Sequence, residues 1–196
     1  MYGNKFITNP VHLIRYHSYK SIESELSSEH MTSGLGLTIS DWNPILNKNF
    51  PRVEFTNLPY PIYDIQNLHQ IPDIYADVVY SEMVLEHISN PEAAISEIFR
   101  ILKPGGIVIH TTVFIMPYHP SPNDYWRFSS DALKLMHYKY KTVKVGGYGN
   151  RRSIAIMLLR FTRFPVMYST KFNFMTFLLK GNNQKFPIVT WVIAKK

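Results

Sequence analysis

The sequence predicts an α/β fold, a mostly parallel sheet with helices on both faces, and three observations carry that reading. The apolar run Ala76 to Tyr80 ends abruptly in Ser81-Glu82, as a strand buried on both faces does at its carboxyl edge. A capped helix follows, with Asn90 as N-cap, Pro91 at the first helical position and Glu92 against the positive end of the helix dipole. Its residues Ile95, Ile98, Phe99 and Leu102 make one apolar stripe, and Lys103-Pro104-Gly105-Gly106 stops it before the apolar strand Ile107 to His110. Two parallel strands joined by a crossover helix satisfy this pattern.

The remaining elements follow in chain order. Lys20 to Glu29, rich in Ser and Glu, predicts a leading helix, and Leu35 to Ile39 and Val53 to Thr56 predict strands. After the first of these strands comes Asp41-Trp42-Asn43-Pro44. Only about ten residues then remain before Val53, against at least roughly 10–12 for a complete crossover, so the N-terminal unit is expected to be either abridged or rearranged. Ser130 to Met136 reads as a helix capped by Ser129 or Ser130, Thr142 to Val145 as a strand ending at Gly146-Gly147, and Ile188 to Ala194 as the last strand. Residues 151–180 form a helical insertion before that strand. Ile154, Met157, Leu158, Phe161 and Phe164 alternate there with Arg160, Arg163 and Lys171, which suits either an amphipathic cover over a cleft or a helix lying on a membrane face. With no repeat or linker, residues 1–196 are expected to be a single domain.

Composition narrows the function classes. The 196 residues include no cysteine, which excludes disulfides, thiolate catalysis and cysteine-ligated zinc. The start lacks a basic segment leading into an apolar one, and no apolar run reaches the ~18 residues of a membrane span, so a cytoplasmic protein is expected. The net charge of +7 conceals an asymmetry: residues 1–131 carry 8 Lys/Arg against 14 Asp/Glu, and residues 132–196 carry 13 Lys/Arg and no acid. The basic block suits a phosphate- or lipid-linked ligand or peripheral contact with the inner face of a membrane, or else a solvated face balanced by the acidic half. A nucleic-acid partner is disfavoured, because no ordered Lys/Arg and aromatic platform accompanies the charge.

The block from Ser81 through Leu85-Glu86-His87 to Glu97-Ile98-Phe99-Arg100-Ile101-Leu102-Lys103-Pro104-Gly105-Gly106 resembles the class I S-adenosylmethionine-dependent methyltransferases, in which a strand, an "LEH" turn, a helix ending "EIxRxLKPGG" and a second strand recur. Asp64 to Asp73 is similar to that family's "D-x-x-x-L-P-F-P-D" segment. Pro117 to Phe128 is similar to the "P-x-H-x-x-P-x-D-Y-W-R-F" loop of a subgroup associated with glycan and secondary-metabolite loci. The resemblance implies a Rossmann-like fold, S-adenosyl-L-methionine as cofactor, and methylation, on oxygen, of a small-molecule or glycan acceptor. The alternative is a methyltransferase-like pseudoenzyme acting as a binding or scaffolding protein.

The resemblance also assigns site residues. Asp64, with Ile65, meets the adenine, and Ser81, Glu82 and Met83 lie at the carboxyl edge where open α/β sheets bind ligands. Gly34, Gly36 and Asp41 are carried over to the methionine end. Asn57 stands where an acidic ribose ligand is usual and can still donate and accept a hydroxyl hydrogen bond. Methyl transfer to a hydroxyl needs positioning and a base. His87, His119 and Asp124 are the candidate catalytic residues, and His110, Tyr125 and Arg127 the candidate substrate ligands. Ordinary turn, cap and loop-anchoring roles, including an Arg127 ion pair with Asp124 or Asp131, remain the competing reading of these residues. No metal site is expected, because His12, His17, His30, His69 and His137 show no H-x-x-x-H spacing.

Overall fold

The structure is a computed structural model that describes residues 11–26, 33–39, 44–159, 165–166, 179 and 181–196. The expectations for Asp41, Phe161, Phe164, Arg160, Arg163 and Lys171 lie outside the described residues.

Six strands form the main sheet: β2 (Gly34–Ile39), β3 (Val53–Leu58), β4 (Ala76–Glu82), β5 (Leu102–Val113), β6 (Thr142–Tyr148) and β8 (Val189–Lys195), in the order β3-β2-β4-β5-β8-β6. Pairing is parallel from β3 through β5, and β8 runs antiparallel to both its neighbours. A separate antiparallel pair joins β1 (Val11–His12) to β7 (Pro165–Val166), which the sequence reading did not anticipate.

The period-two alternation of the central strands feeds two cores. Val79, Val108 and Val192 face one side, where α3 (Pro91–Ile101) contributes Ile95, Ile98 and Ile101, and α4 (Ser130–Met136) contributes Leu133. Val78, Tyr80, Ile107, Ile109 and Ile193 face the other, covered by α1 (Leu13–Leu26) and α2 (Pro44–Asn49) through Ile22, Leu26, Ile45 and Leu46. The caps form as expected: the Asn90 side chain accepts from the Ala93 N–H at 3.1 Å, and the Ser129 hydroxyl from the Ala132 N–H at 3.1 Å.

Boundaries differ from expectation at several elements, four of them by more than two residues. The leading helix begins at Leu13, not Lys20; its buried positions Ile14, Ser18, Ile22 and Leu26 recur every four residues, a stripe that the Ser/Glu content does not reveal. Strand β5 extends from Leu102 to Val113, because the Gly105 N–H donates to the Lys196 carbonyl and the Lys196 N–H to the Gly106 carbonyl, fastening the turn to the end of β8. Strand β6 runs through Gly146 and Gly147 to Tyr148, since the Trp191 ring lies where a Gly146 Cβ would stand. Within 151–180 the described helix is α5 (Arg151–Leu158), closed by a reciprocal Asn150–Ser153 capping box. Helix α2, between β2 and β3, has six residues.

Candidate active site

At the carboxyl edge of the parallel strands lies a cleft of about 1080 Å³. This is where an open α/β sheet presents loops and strand ends to a ligand, and the volume suits a small molecule with its co-substrate. Of the residues singled out from sequence, Asn57, Asp64, Ile65, Glu82, Met83, His87, His119 and Tyr125 line it.

Glu82 is the last residue of β4 and is almost fully buried. The Tyr19 hydroxyl donates to its Oε1 at 2.5 Å, the Tyr80 hydroxyl to its Oε2 at 3.0 Å, and Arg15 Nε lies 3.5 Å from Oε1. The carboxyl group at this strand end is thus met by two hydroxyl donors and a cation, the partners that burial of a polar group requires. Met83 follows with φ +52, a left-handed conformation that turns the chain sharply into the Leu85–His87 turn. Asp64 accepts from the Gln66 N–H at 2.9 Å, and the Gln66 side-chain oxygen accepts from the Asn90 N–H at 2.8 Å, tying this loop to the start of α3. Asn57 accepts from the Thr38 hydroxyl at 3.1 Å.

The loop 117–128 is fastened across the Leu85–His87 turn. The Tyr125 N–H donates to the Glu86 carbonyl at 2.8 Å, Trp126 Nε1 to the Ile88 carbonyl at 2.9 Å, and His87 Nδ1 to the Asn123 carbonyl at 2.5 Å. His87 and His119 are thereby brought edge to face, with ring centroids 5.1 Å apart.

Other assignments change. Gly34 and Gly36 lie at the amino end of β2, away from the cleft edge; Gly34 backs onto Asp77 and Gly36 onto the Phe55 ring. Both serve close approach within the sheet. Ser81 is fully buried and pairs in register between Ile39 and His110. His110 points into the core beside His137, with ring centroids 5.3 Å apart, and does not line the cleft. Asp124 and Arg127 also lie outside the lining. Their ion pair holds the Asp124 carboxyl far below its usual range, so it does not serve as a base. That is the structural alternative weighed for Arg127.

Three cleft residues were given no role in the sequence reading, Arg15, Gln66 and Asn123, whereas Met157 belongs to the apolar stripe expected to cover a cleft. Tyr19 was missed as well, although Arg15 and Tyr19 are one helical turn apart and share a face. Starting the helix at Leu13 would have exposed that pair. Glu86 was quoted within its motif but given no role. Its side chain is fully buried, its Oε2 accepts from the Thr112 hydroxyl at 2.7 Å, and burial pushes its carboxyl pKa up. Among the described residues, one potential ligand atom each from Glu86, His87 and His119 lie within 4.8 Å of one another, a grouping the sequence reading did not consider. Spacing rules for helical histidine pairs are blind to ligands drawn from two loops.

A parallel sheet closed by an antiparallel strand, with helices on both faces and a cleft at its carboxyl edge, defines the class I methyltransferase fold. Residues 36–110 match the family described as a methyltransferase domain. A malonyl-[acyl-carrier protein] O-methyltransferase of Serratia marcescens is 32% identical over 54 residues, 28% of this chain and 21% of that protein. A Mycolicibacterium smegmatis protein named as a "Probable S-adenosylmethionine-dependent methyltransferase" is 40% identical over 57 residues, 27% of this chain and 22% of that one. The chain thus spans about a fifth of the length of these curated relatives. In fold it is similar to a Thermotoga maritima structure described as a SAM-dependent methyltransferase, possible histamine N-methyltransferase, with TM-score 0.53, 15% identity, and coverage of 94% of this chain and 91% of that one. Among the described residues no helix is long and apolar enough to cross a membrane.

Proposed function

We propose that the protein transfers a methyl group from S-adenosylmethionine to an oxygen of a small-molecule or glycan acceptor in the cleft at the carboxyl edge of β2 to β5. The observation that carries this reading is the joint presence in one cleft of two carboxylates, Asp64 and Glu82, and two imidazoles, His87 and His119. When bound, S-adenosylmethionine supplies a methyl carbon already activated on a sulfonium, so the chain's contribution is chiefly orientation and activation of the acceptor.

The residues fit that task. Asp64 and Asn57 offer acceptors and a donor to hydroxyl and amino groups, and Glu82, fixed by Tyr19 and Tyr80, offers a charged partner for a cationic group. His87 and His119 activate the acceptor hydroxyl. Tyr125, on the cleft wall, covers an acceptor with a half-exposed ring. Met157 reaches the cleft from α5, which supports a covering role for this part of the 151–180 insertion. The basic residues after Asp131 favour an acceptor carrying a phosphate or a lipid phosphate, delivered in the cytoplasm or at the inner face of a membrane.

Calorimetric titration with S-adenosylmethionine and with its demethylated product tests the reading; no binding of either by the folded protein rejects it. Transfer assays against phenolic, sugar and phosphorylated acceptors follow. His87→Ala and His119→Ala are expected to lower the rate at least ~10²-fold while leaving cofactor affinity nearly intact. Co-sedimentation with neutral and anionic vesicles at low and high salt tests the membrane component, and equal binding to both lipids removes it.

A further inference from the structure

Two imidazoles and a buried carboxylate meet on the cleft wall, and their hydrogen bonds fix which atoms are left to act. His87 Nδ1 lies 2.5 Å from the Asn123 carbonyl oxygen. A carbonyl only accepts, so Nδ1 carries a proton, and in the neutral imidazole Nε2 keeps its lone pair. His119 Nδ1 lies 3.1 Å from the Pro117 carbonyl and 3.4 Å from Asp124 Oδ2, again two acceptors, so in the neutral ring Nε2 keeps its lone pair. Glu86 spends Oε2 on the Thr112 hydroxyl, and its Oε1 is buried without a hydrogen-bond donor among the described residues. His87 Nε2 stands 3.9 Å from that oxygen. One potential ligand atom from each of the three residues lies within 4.8 Å of the others, and a buried, ionised carboxylate oxygen without a donor costs stability unless a cation meets it.

We infer that Glu86, His87 and His119 bind one divalent transition-metal ion, held by the two Nε2 atoms and Oε1 with its remaining coordination positions open to the cleft. Two imidazoles and one carboxylate suit Zn²⁺ and its first-row neighbours. Imidazoles that ligate a metal characteristically donate their other N–H to a carbonyl or carboxylate, and both rings do so here. Metal–ligand bonds of about 2.0–2.1 Å place tetrahedral ligand atoms roughly 3.3 Å apart, so the 3.9 Å separation closes with a small side-chain rotation. With Glu86 held by Thr112, the His87 ring would close this gap and the partly exposed His119 ring would close its own.

This deepens the methyl-transfer reading and rests on it for its chemical role. A cation on the cleft wall lowers the pKa of an alcohol, phenol or sugar hydroxyl brought against it. The O–H bond breaks and the proton leaves to solvent water. The retained electron pair on oxygen forms the new O–C bond as the C–S bond breaks toward sulfur. The acceptors selected are hydroxyl compounds able to coordinate a metal.

The experiment is titration of chelator-stripped, tag-free protein with Zn²⁺, and separately with Co²⁺ followed by visible absorption. One saturable site per chain is expected, with Co²⁺ spectra showing nitrogen ligation. Glu86→Gln, His87→Ala and His119→Ala should each weaken Zn²⁺ binding by about 100-fold or more, whereas His69→Ala, at an exposed position outside the cleft, should not. Circular dichroism checks that the variants fold, and the wild-type Co²⁺ spectrum decides the matter if one does not. Absence of saturable binding, a fully aquated Co²⁺ spectrum, or unchanged affinity in the folded variants overturns the inference. Cofactor titration of the same samples keeps the two readings apart: metal binding without cofactor binding rejects methyl transfer alone, and the reverse rejects the metal site alone.

Discussion

Asp124 and Arg127 face each other across one turn of loop and exchange two hydrogen bonds, Nη1 to Oδ1 at 2.5 Å and Nη2 to Oδ2 at 2.7 Å. The same carboxylate accepts from the His119 N–H at 2.8 Å, and Arg127 also donates to the Met116 and Pro117 carbonyls. The pair therefore sets the path of the loop that carries His119, and its planar fork is the part Lys cannot copy. Arg127→Lys should cost about 1.5–3 kcal/mol in urea unfolding and raise the acceptor KM. A stability within 0.5 kcal/mol of wild type, roughly the range of surface substitutions, would count against this role.

Asp64 separates structure from binding. Its carboxylate shapes its own loop by accepting from Gln66, and it also faces the cleft. Asp64→Asn keeps an oxygen for the Gln66 N–H but loses the charge, so cofactor affinity should fall with little change in stability. Asp64→Ala should lose both, with a binding loss of roughly 1.5–3 kcal/mol. Calorimetry of the two variants beside their melting curves checks this, and equal cofactor affinity in both and in wild type would remove Asp64 from the site.

The Tyr19 hydroxyl donates to a carboxylate that is 2% exposed. Tyr19→Phe keeps the ring in the core beside Ile22 but withdraws one donor from Glu82, which should cost about 1.5 kcal/mol or more and weaken cofactor binding. Combining it with Glu82→Gln should give less than the sum of the two single effects, because the two residues act together. Strict additivity in a double-mutant cycle would show that the contact contributes nothing.

His110 and His137 make folding sensitive to acid. Burial pushes the His110 pKa well below its ordinary value, assisted by repulsion from His137; burial pushes His137 down to about 4, opposed by its hydrogen bond to the Leu133 carbonyl. The unfolded chain takes up protons near pH 6.5 while the folded chain does not, so stability is complete above about 6.5 and falls as pH drops toward about 4. The slope is at most about 1.4 kcal/mol per pH unit for each histidine. Urea unfolding at pH 7.5 and roughly 5.5 should show the loss, and His110→Leu should reduce it; identical slopes in wild type and variant would contradict the assignment.

The crossover unit from Ala76 to His110 was legible because its signals are local and mutually consistent: cap, first-turn proline and apolar stripe each act within a few residues. Where a boundary escaped notice, its cause was distant. The Gly146 backbone continues as strand because the Trp191 ring needs the space, and the 105–106 turn joins β5 because it pairs with Lys196. Local pattern could not separate His119 from His110 either. Both follow strand residues in one segment, yet one lines the cleft and the other is fully buried.

By itself the sequence determined the α/β class, the central strands and helices, and the carboxyl edge as the place for a ligand, because hydrophobic period and caps are short-range. Only tertiary structure decided which polar side chains act together. Glu86 and His87 are neighbours in sequence, but His119 reaches them only because Tyr125 and Trp126 hydrogen-bond to the Glu86 carbonyl and Asn123 to His87. Those bonds span 36 to 40 positions in the chain. No local pattern encodes which lone pairs they leave facing one another, since that depends on where each donor is spent in the folded molecule.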